Sequence, residues 1–318
     1  MLVRPIFFFG GYPMKAVVCE KYGQTDGLVI RDIKAPNIKD YDVLIKINAT
    51  TAHIADTKIR KADPFYLRLI YGLIKPRKNL VLGLEIAGVI LSIGKKVKKY
   101  KIGDEVFAFT GFGLGGYAEY ICLPEVVKAG SHTIKGLITL KPRNLSFAEA
   151  ATVPSGCLTA LKNIQKANIQ NGSTILIYGA SGSLGTYAIQ LAKYYGAKIT
   201  AVCSSRNFDL VKSLGATELI DYTITDIYSI NRKYDIVYDA VMKLNKSKIK
   251  KIINNNGSYL NNSGLPAIEE KDLVQIKELL EQNIIKPVID KIYTLDDIRE
   301  AHRYVDNGHK VGNVAITI

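Results

Sequence analysis

The sequence contains no tryptophan and only four cysteines and four histidines, and the spacing of these residues excludes several kinds of site. Cys19, Cys122, Cys157 and Cys203 are far apart and form no C-x-x-C pair, which argues against a disulfide scaffold and a four-cysteine zinc site. The simpler interpretation is that these four cysteines are small buried side chains of a protein in a reducing compartment. The histidines form neither an H-x-x-x-H nor an H-E-x-x-H pair.

Long hydrophobic runs are also absent. No stretch approaches the roughly 20 apolar residues that span a bilayer. The apolar cluster within residues 1–13 is shorter than the core of a signal peptide, and Pro and Gly interrupt it. We therefore expect residues 1–13 to be an extension that precedes the first domain, and the cytoplasm to be the protein's location.

Acidic residues are few relative to basic ones. The 318 residues include 43 Lys and Arg against 29 Asp and Glu, which gives a net charge of +14. This excess suggests a nucleic acid, an anionic membrane surface or an anionic small molecule as partner. The basic runs at 95–101 and 246–251 carry few aromatic residues and match no nucleic-acid-binding module, which argues against nucleic acid. With 47% hydrophobic residues the chain is globular, and its length fits two domains.

The first part of the chain has short runs rich in Val, Ile and Tyr, separated by Gly, Pro, Asn or Asp, which is typical of a barrel of short strands. One segment differs, since the pattern of residues 64–76 predicts an amphipathic helix that ends at Pro76. This helix could be a surface helix or a lid. The cluster of Lys75, Arg77 and Lys78 at its end leaves a membrane-surface role open.

From Leu145 onward, strand and helix patterns alternate, with helices expected at 183–195, 207–214 and 246–254. This alternation predicts a parallel sheet with helices on both faces. The last segment, 313–318, looks like a strand without a sequential partner, and it could return to the first domain.

A glycine-rich turn follows the predicted strand 174–178. Its residues are Gly179, Ala180, Ser181, Gly182, Ser183, Leu184 and Gly185, and an apolar helix follows directly. The first glycine permits the tight turn, the second lets the backbone approach a pyrophosphate, and the third allows close packing of helix on strand. Free N–H groups at the helix start then face the phosphates. The turn therefore predicts a dinucleotide site, although a tight turn without a ligand would look similar.

The residues after the next strand bear on the choice of dinucleotide. An NAD site places an acid there, whereas this chain has Ser204, Ser205 and Arg206. Two hydroxyl groups and a cation suit a 2′-phosphate. We therefore expect NADPH as the cofactor, with a surface role for Arg206 as the alternative.

From Met14 onward, the chain resembles the medium-chain dehydrogenase/reductase superfamily, and most closely its zinc-independent NADPH:quinone oxidoreductase-like branch. Besides the glycine turn, the resemblance rests on segments 56–60, 83–88, 103–106, 116–120, 149–154, 212–216 and 220–222. It implies an α/β fold, with a GroES-like β-barrel domain at 14–140, completed by 288–318, and a doubly wound Rossmann domain at 141–287. It also implies that Thr159 contacts the nicotinamide side and that Tyr222 lies near the adenosine 2′-phosphate. The alternatives are a helix hydroxyl bonded to its own backbone for Thr159 and a buried aromatic at a strand end for Tyr222.

The resemblance also bears on metal. Zinc-dependent relatives use Cys, His and Cys as ligands, and the corresponding positions here carry His53, Leu84 and Ser155. Even with Cys157 nearby, the ligands are too few for zinc, so we expect no catalytic metal. Without a Lewis acid, the expected chemistry is hydride transfer to a quinone or another α,β-unsaturated carbonyl.

His53 and Tyr66 are the candidate catalytic donors, because relatives carry a polar residue and a catalytic Tyr in these segments. Either could be structural instead. Open alternatives for the function are an enoyl-thioester reductase, a zinc-free alcohol or aldehyde reductase, and a non-enzymatic nucleotide-binding protein with an RNA-binding basic surface. The family implies a homodimer. Residues 126–137 look like an insertion relative to it.

Overall fold

The computed structural model describes residues 11–128, 130–264 and 267–318, so most of the expected extension and Ala129 of the expected insertion lie outside the described residues. The described strands are β1 (Pro13–Cys19), β2 (Leu28–Lys34), β3 (Asp42–Thr51), β4 (Glu85–Ile93), β5 (Glu105–Phe109), β6 (Tyr120–Pro124), β7 (Leu137–Leu140), β8 (Thr174–Tyr178), β9 (Lys198–Cys203), β10 (Glu218–Asp221), β11 (Tyr234–Asp239), β12 (Ile253–Asn261), β13 (Ile289–Thr294) and β14 (Asn313–Thr317). The helices are α1 (Ile54–Lys61), α2 (Leu67–Tyr71), α3 (His132–Lys135), α4 (Phe147–Ala151), α5 (Pro154–Lys166), α6 (Ser183–Tyr194), α7 (Phe208–Leu214), α8 (Glu270–Glu281) and α9 (Ile298–Asp306).

The chain divides into two units. The barrel unit contains the described residues up to Pro154 together with Lys291–His309 and Val314–Ile318. The parallel-sheet unit contains Ser155–Asp290 and Lys310–Asn313. Helix α4 packs against β3, β4 and β5 and is part of the barrel unit, whereas the family resemblance implied a domain that ends at residue 140.

The barrel unit is built on antiparallel strands in the order β13-β14-β3-β4-β5-β7, with β6 also paired to β3. Alternate residues of β3 face one core, where Val43, Ile45 and Ile47 are fully buried. The last strand, β14, pairs antiparallel with β3, with Ala315 opposite Thr51. The final strand-like segment thus returns to the first domain, as the sequence suggested.

The parallel-sheet unit contains strands in the order β10-β9-β8-β11-β12. In chain order this arrangement is 3-2-1-4-5, the order of a Rossmann sheet, and the direction of winding reverses between β8 and β11. Its core includes Leu176, Val202 and Val237, one residue from each of three adjacent strands. The predicted α/β class, with a GroES-like barrel and a doubly wound sheet, is confirmed.

Two predicted helices differ from the structure. The helix expected at 64–76 is confined to α2, because Gly72 adopts a left-handed φ of 129° and redirects the chain. The helix expected at 246–254 is a 3₁₀ helix at Lys246–Lys251, after which β12 begins at Ile253. Among the described residues, no helix combines the length and apolar character needed to cross a bilayer.

Candidate functional site

The glycine turn lies at the carboxyl end of β8, at the point where the sheet reverses its winding. Gly179 adopts a φ of +79°, and a Cβ there would lie 2.5 Å from Cγ1 of Val241. A Cβ on Gly185 would lie 2.3 Å from the carbonyl oxygen of Gly179, so helix α6 approaches the turn too closely for any side chain. Ala180, between them, is fully buried. Two of the three glycines are therefore required by close packing.

Gly182 serves a different purpose. It is the N-cap residue of α6 with ordinary extended dihedral angles, and a Cβ placed on it would come no closer than 3.4 Å to a described atom, the Gly179 carbonyl oxygen. As a glycine, it has no side chain with which to cap the helix. The 12-residue helix therefore begins at a residue without a side chain, which leaves the backbone of its first turn uncrowded at Gly182, as a phosphate site requires.

A distant segment supports this turn from behind. The N–H of Gly312 donates to the Ser181 carbonyl oxygen at 2.8 Å, and the Ser183 hydroxyl donates to Oδ1 of Asn313 at 2.5 Å. Sequence reasoning missed Gly312 and Asn313. The available signal was Gly312 itself, which has a φ of +60° and leaves no room for a Cβ beside the Val288 carbonyl oxygen.

Ser204, Ser205 and Arg206 follow β9, next to the turn. The side chain of Asn207 donates to the Ser181 hydroxyl at 3.1 Å, which joins this loop to the glycine turn. Arg206 and Ser205 are exposed. The structure thus brings these predicted residues to the same edge of the sheet as Gly179–Gly185.

Asp221, at the end of β10, lies in the family segment 220–222 but was assigned no role from the sequence. It accepts hydrogen bonds from the Thr223 hydroxyl at 2.6 Å, from the Thr223 N–H at 2.8 Å and from the Ser205 N–H at 2.9 Å. These bonds, those from Thr223 first, hold the pKa of the Asp221 carboxyl well below its usual range. The carboxylate positions the loops after β9 and β10.

Tyr222 and Thr159 lie at different places in the parallel-sheet unit. Tyr222 is half-exposed after β10, with its ring centroid 6.2 Å from that of Tyr178 at the end of β8. Thr159 lies in α5, where its carbonyl oxygen accepts from Asn163 at 3.0 Å. Asn163 in turn donates to Asn262 beyond β12. Tyr222 therefore shares the edge that carries the glycine turn, while Thr159 is tied to the β12 side of the sheet.

His53 in the barrel unit is the N-cap residue of α1. Its ring atom Nδ1 accepts a hydrogen bond from the backbone N–H of Ala55 at 3.1 Å. The backbone N–H of His53 donates to the carboxylate of Asp56 at 3.3 Å. Because Nδ1 is an acceptor, the neutral ring carries its proton on Nε2. The imidazole is therefore oriented with Nε2–H as its hydrogen-bond donor.

Behind His53 lies a buried acid pair. Asp56 is fully buried and accepts the Gly83 N–H at 2.9 Å. Glu85 is also buried and accepts from the Thr51 hydroxyl at 2.7 Å. Burial, and to a smaller extent the charge of Glu85, raise the pKa of Asp56 to about 7 against the lowering effect of its backbone hydrogen bonds.

The buried polar chain continues to the C-terminal helix of the same unit. Arg60, which is fully buried, donates to His302 at 3.2 Å and pairs with Asp306. His302 lies 3.0 Å from the hydroxyl of Tyr117, which donates to the Thr51 carbonyl oxygen. This network joins α1 to α9 and was not foreseen, since its members are spread over the whole chain.

Tyr66 immediately precedes α2 and is 58% exposed. Its side chain is therefore accessible to solvent. Tyr66 precedes α2, whereas His53 precedes α1. Leu84 is buried and Ser155 begins the parallel-sheet unit, and within the described residues no three His, Cys, Asp or Glu side chains are grouped in a way that could hold a metal ion.

Comparison with protein families identifies both parts of the chain. Residues 39–131 match the alcohol dehydrogenase GroES-like domain, and residues 183–284 and 259–316 match models of the zinc-binding dehydrogenase domain. The structure is similar to that of the quinone oxidoreductase from Coxiella burnetii, with a TM-score of 0.81 and 24% identity over 96% of this chain and 99% of that one. That likeness concerns the fold.

Curated relatives are similar over most of their length. The 2-methylene-furan-3-one reductase of Solanum lycopersicum is 34% identical over 95% of this chain and 79% of its own. The chloroplastic NADPH-dependent alkenal/one oxidoreductase of Arabidopsis thaliana is 31% identical over the same shares, and the chloroplastic quinone-oxidoreductase QR1 of Triphysaria versicolor is 31% identical over 96% and 99%. The chain therefore belongs to the medium-chain dehydrogenase/reductase family, in the branch of the quinone and alkenal oxidoreductases.

Proposed function

We propose that this protein is an NADPH-dependent oxidoreductase that transfers hydride to a quinone or another α,β-unsaturated carbonyl without a catalytic zinc. The observation that carries the proposal is the start of α6 at Gly182, a residue without a side chain, at the winding reversal of the parallel sheet, with Arg206 on the neighbouring loop. The N–H groups suit a pyrophosphate, and the cation suits a phosphate on the adenosine ribose.

The residues of the parallel-sheet unit fit NADPH. Gly179, Ala180, Ser181, Gly182, Ser183, Leu184 and Gly185 would hold the pyrophosphate, while Ser204, Ser205, Arg206 and Tyr222 would hold the 2′-phosphate end and Thr159 the nicotinamide end. When bound, the cofactor supplies a hydride. Asp221 holds the Ser205 loop in position by accepting a hydrogen bond from the Ser205 N–H, and it also accepts one from the Thr223 hydroxyl. These donors already compensate the negative charge of its carboxylate.

His53 and Tyr66 are the proposed donors to the acceptor's oxygen. As hydride reaches an unsaturated carbonyl, negative charge develops on its oxygen, and a fixed N–H or O–H donor stabilises that charge. The bond from the Ala55 N–H to Nδ1 of His53 fixes the ring so that Nε2–H is its donor. A proton from water or from one of these side chains then completes the reduction.

The acceptor class is supported by two arguments. The relatives named above reduce, by their names, methylene-furanones, alkenals, enones or quinones, all of which carry conjugation. In addition, the three positions that hold zinc in zinc-dependent relatives carry His53, Leu84 and Ser155, and only the first side chain is a good zinc ligand. A conjugated acceptor needs no Lewis acid to receive hydride.

The test is a turnover screen with NADPH and with NADH over a quinone, an enone, an aldehyde and an enoyl thioester, with metal analysis of the same sample. We expect oxidation of NADPH with the quinone or the enone and a preference over NADH. Preference for the enoyl thioester or the aldehyde would favour the alternative reductases. No turnover with any conjugated acceptor, together with salt-sensitive RNA binding that NADPH does not disturb, would favour the non-enzymatic alternative.

We also propose a homodimer formed through the edge of the parallel sheet. Strand β12 is the last strand of the sheet among the described residues. Its sequence, from Ile253 to Asn261, has no Pro, Lys or Glu, which are the residues that usually protect an edge strand from pairing. Light scattering measures the mass directly, and Ser258→Pro should shift a dimer towards the monomer, whereas a monomeric wild-type protein contradicts the proposal.

The proposed location is the cytoplasm. Cys19, Cys122, Cys157 and Cys203 are all free thiols, which fits a reducing compartment. Some relatives are named as chloroplastic or mitochondrial, so fractionation of the source cells is the measurement that distinguishes these compartments.

A further inference from the structure

An unusual set of apolar side chains is exposed on one short segment of the barrel unit. We call this set the apolar tip, and it consists of Phe65 (66% exposed), Leu69 (72%), Ile70 (56%), Leu73 (59%) and Ile74 (88%). Single exposed apolar residues are common on protein surfaces, but five large ones within ten residues form a patch, and such patches mark interaction sites.

The segment that carries the apolar tip is anchored to the barrel unit. Tyr71 lies in its middle, is 1% exposed and donates from its hydroxyl to the Phe112 carbonyl oxygen at 3.3 Å. The hydroxyl of Tyr22 donates to the Gly72 carbonyl oxygen at 2.8 Å. Because Tyr71 already occupies the inward-facing side, the neighbouring apolar side chains are held outward.

The charges within the segment that carries the apolar tip all have one sign, whereas Glu20 and Asp32 from elsewhere in the chain line a pocket together with Lys78. Between Asp63 and Glu85 the sequence has no acidic residue, and it has four cations, namely Arg68, Lys75, Arg77 and Lys78. The last three are exposed. Arg68 is held with its guanidinium carbon 5.0 Å from the centre of the Tyr22 ring and 5.6 Å from that of Phe65. An apolar cluster beside a cationic one is complementary to a surface that is apolar inside and anionic outside.

We propose that the apolar tip inserts into the interface of an anionic phospholipid bilayer and binds the protein reversibly to it. Phe65, Leu69, Ile70, Leu73 and Ile74 enter the boundary between headgroups and acyl chains, while Lys75, Arg77 and Lys78 contact the phosphate groups. This inference concerns the barrel unit alone and does not depend on the proposed reaction.

A bilayer fits this surface better than a second copy of the chain does. Two apolar tips facing each other would bring Lys75, Arg77 and Lys78 of both copies together, with no acid in either segment to compensate them. An anionic bilayer supplies both the apolar interior and the opposite charge.

The first experiment is co-sedimentation of the full-length protein with phosphatidylcholine vesicles that contain or lack phosphatidylglycerol. The wild type should bind the phosphatidylglycerol vesicles, and salt should weaken the binding. The double variant Leu73→Ser/Ile74→Ser should lose affinity by at least about tenfold, because two large side chains no longer leave water. The matched control is Ile224→Ser, which changes a residue that is 85% exposed in the other unit and should leave binding unchanged.

The cationic part is tested in the same assay. The double variant Lys75→Glu/Lys78→Glu should bind the phosphatidylglycerol vesicles more weakly, by at least about fivefold for each lysine that is replaced. Lys250→Glu/Lys251→Glu makes the same change of charge in an exposed pair of the parallel-sheet unit and should retain most of the affinity. Loss of binding in both pairs alike would mean that the whole basic surface adsorbs to lipid, and the proposal would be wrong.

The absence of tryptophan permits a direct measurement of depth. In Ile74→Trp the new indole is the only one in the chain, so its emission should shift to shorter wavelength with phosphatidylglycerol vesicles and be quenched by brominated lipid. Ile224→Trp should show neither effect. An unshifted Ile74→Trp spectrum on vesicles that bind the protein, no wild-type binding to any vesicle, or vesicle-independent self-association that is lost in Leu73→Ser/Ile74→Ser would each overturn the proposal.

Discussion

The guanidinium group of Arg60 donates from Nε to Nδ1 of His302 at 3.2 Å, and this bond determines the state of a buried imidazole. A ring that accepts at Nδ1 is neutral and carries its proton on Nε2, which lies 3.0 Å from the Tyr117 hydroxyl. Burial, followed by the charge of Arg60, lowers the pKa of His302 to about 3, so the ring stays neutral. Because His302 is neutral, the positive charge of Arg60 lies beside it without repulsion between two cations.

Arg60 should be the most sensitive residue of this network. Arg60→Met leaves Asp306 without its buried partner and removes a donor from His302 and from the Gly23 carbonyl oxygen. We expect a loss of about 3–5 kcal/mol in the free energy of unfolding, measured by urea denaturation. The control is Lys61→Met, because Lys61 pairs with the same Asp306 from a half-exposed position and should cost less than about 1 kcal/mol. Equal losses in the two variants would contradict a special role for the buried pair.

Asp56 should make the stability depend on pH. Its pKa rises from 3.8 to about 7 on folding, mainly through burial, so the folded protein binds a proton that the unfolded chain has released. The contribution of Asp56 to stability is therefore largest below pH 4 and declines as the pH rises towards 7, with a slope of up to about 1.4 kcal/mol per pH unit.

The measurement is the difference in unfolding free energy between the wild type and Asp56→Asn, taken at several pH values. In this difference the opposing contribution of His302 cancels. Relative to Asp56→Asn, the unfolding free energy of the wild type should fall between pH 4 and pH 7 and stay constant above pH 7. A constant difference over that range would show that Asp56 is ionised throughout.

The glycine turn allows packing to be separated from ligand binding. A Cβ on Gly185 would lie 2.3 Å from the Gly179 carbonyl oxygen, so Gly185→Ala should cost about 1–3 kcal/mol of stability and also weaken NADPH binding. A Cβ on Gly182 would lie 3.4 Å from its nearest neighbour, so Gly182→Ala should leave the stability within about 1 kcal/mol. If a pyrophosphate approaches the backbone there, Gly182→Ala should still raise the Kd for NADPH at least about tenfold, because the methyl group occupies the phosphate's space.

Isothermal titration with NADPH and thermal unfolding of the same samples give the two readouts. Unchanged NADPH affinity in a folded Gly182→Ala variant would mean that the cofactor does not approach this residue. The phosphate position of the proposed site would then be wrong.

Arg206 should determine the preference between the two nicotinamide cofactors. Loss of a charge-assisted bond to a phosphate costs about 1.5–3 kcal/mol, so Arg206→Ala should raise the KM for NADPH by about tenfold to a hundredfold and change that for NADH little. Arg232→Ala is the control, because Arg232 is a partly exposed arginine of the same unit that pairs with Glu218. Equal effects on both cofactors would contradict the assignment of the 2′-phosphate.

His53 should act on turnover as well as on stability. His53→Ala removes the acceptor for the Ala55 N–H and the proposed donor to the substrate, so it should cost about 1 kcal/mol of stability and about a hundredfold in kcat. Asn at this position can both cap the helix and donate, so His53→Asn should recover the stability and part of kcat. An unchanged kcat in His53→Ala would leave His53 as a helix cap only, and Tyr66→Phe then tests the second candidate donor in the same way.

Local patterns were sufficient to predict the glycine turn, because Gly179, Gly182 and Gly185 act within one strand and one helix. The same was true of the last strand, whose apolar residues predicted β14 although its partner β3 lies far away in the chain. The helix at 64–76 was predicted too long, because its pattern carries no information about the buried Tyr71 that fixes the segment or about the left-handed Gly72 that ends α2.

Contacts between residues that are distant in the chain could not be predicted from sequence patterns. Arg60 and His302 are separated by 242 positions, and nothing near either residue indicates the other. The same holds for the bond from Ser183 to Asn313, which spans 130 positions and supports the proposed phosphate site from behind. Asp221 was overlooked for a different reason, since its role as an acceptor for Ser205 and Thr223 depends on two loops meeting at the sheet edge.

The pairing of β14 with β3 has a consequence for synthesis on the ribosome. Strand β3 ends at Thr51, but its neighbour β14 is translated only after the whole parallel-sheet unit. At about 5–20 residues per second, the barrel strands wait for many seconds with one edge unpaired, while residues 155–290 can already fold. The parallel-sheet unit can therefore complete its fold before the barrel unit, although translation of the barrel unit begins first.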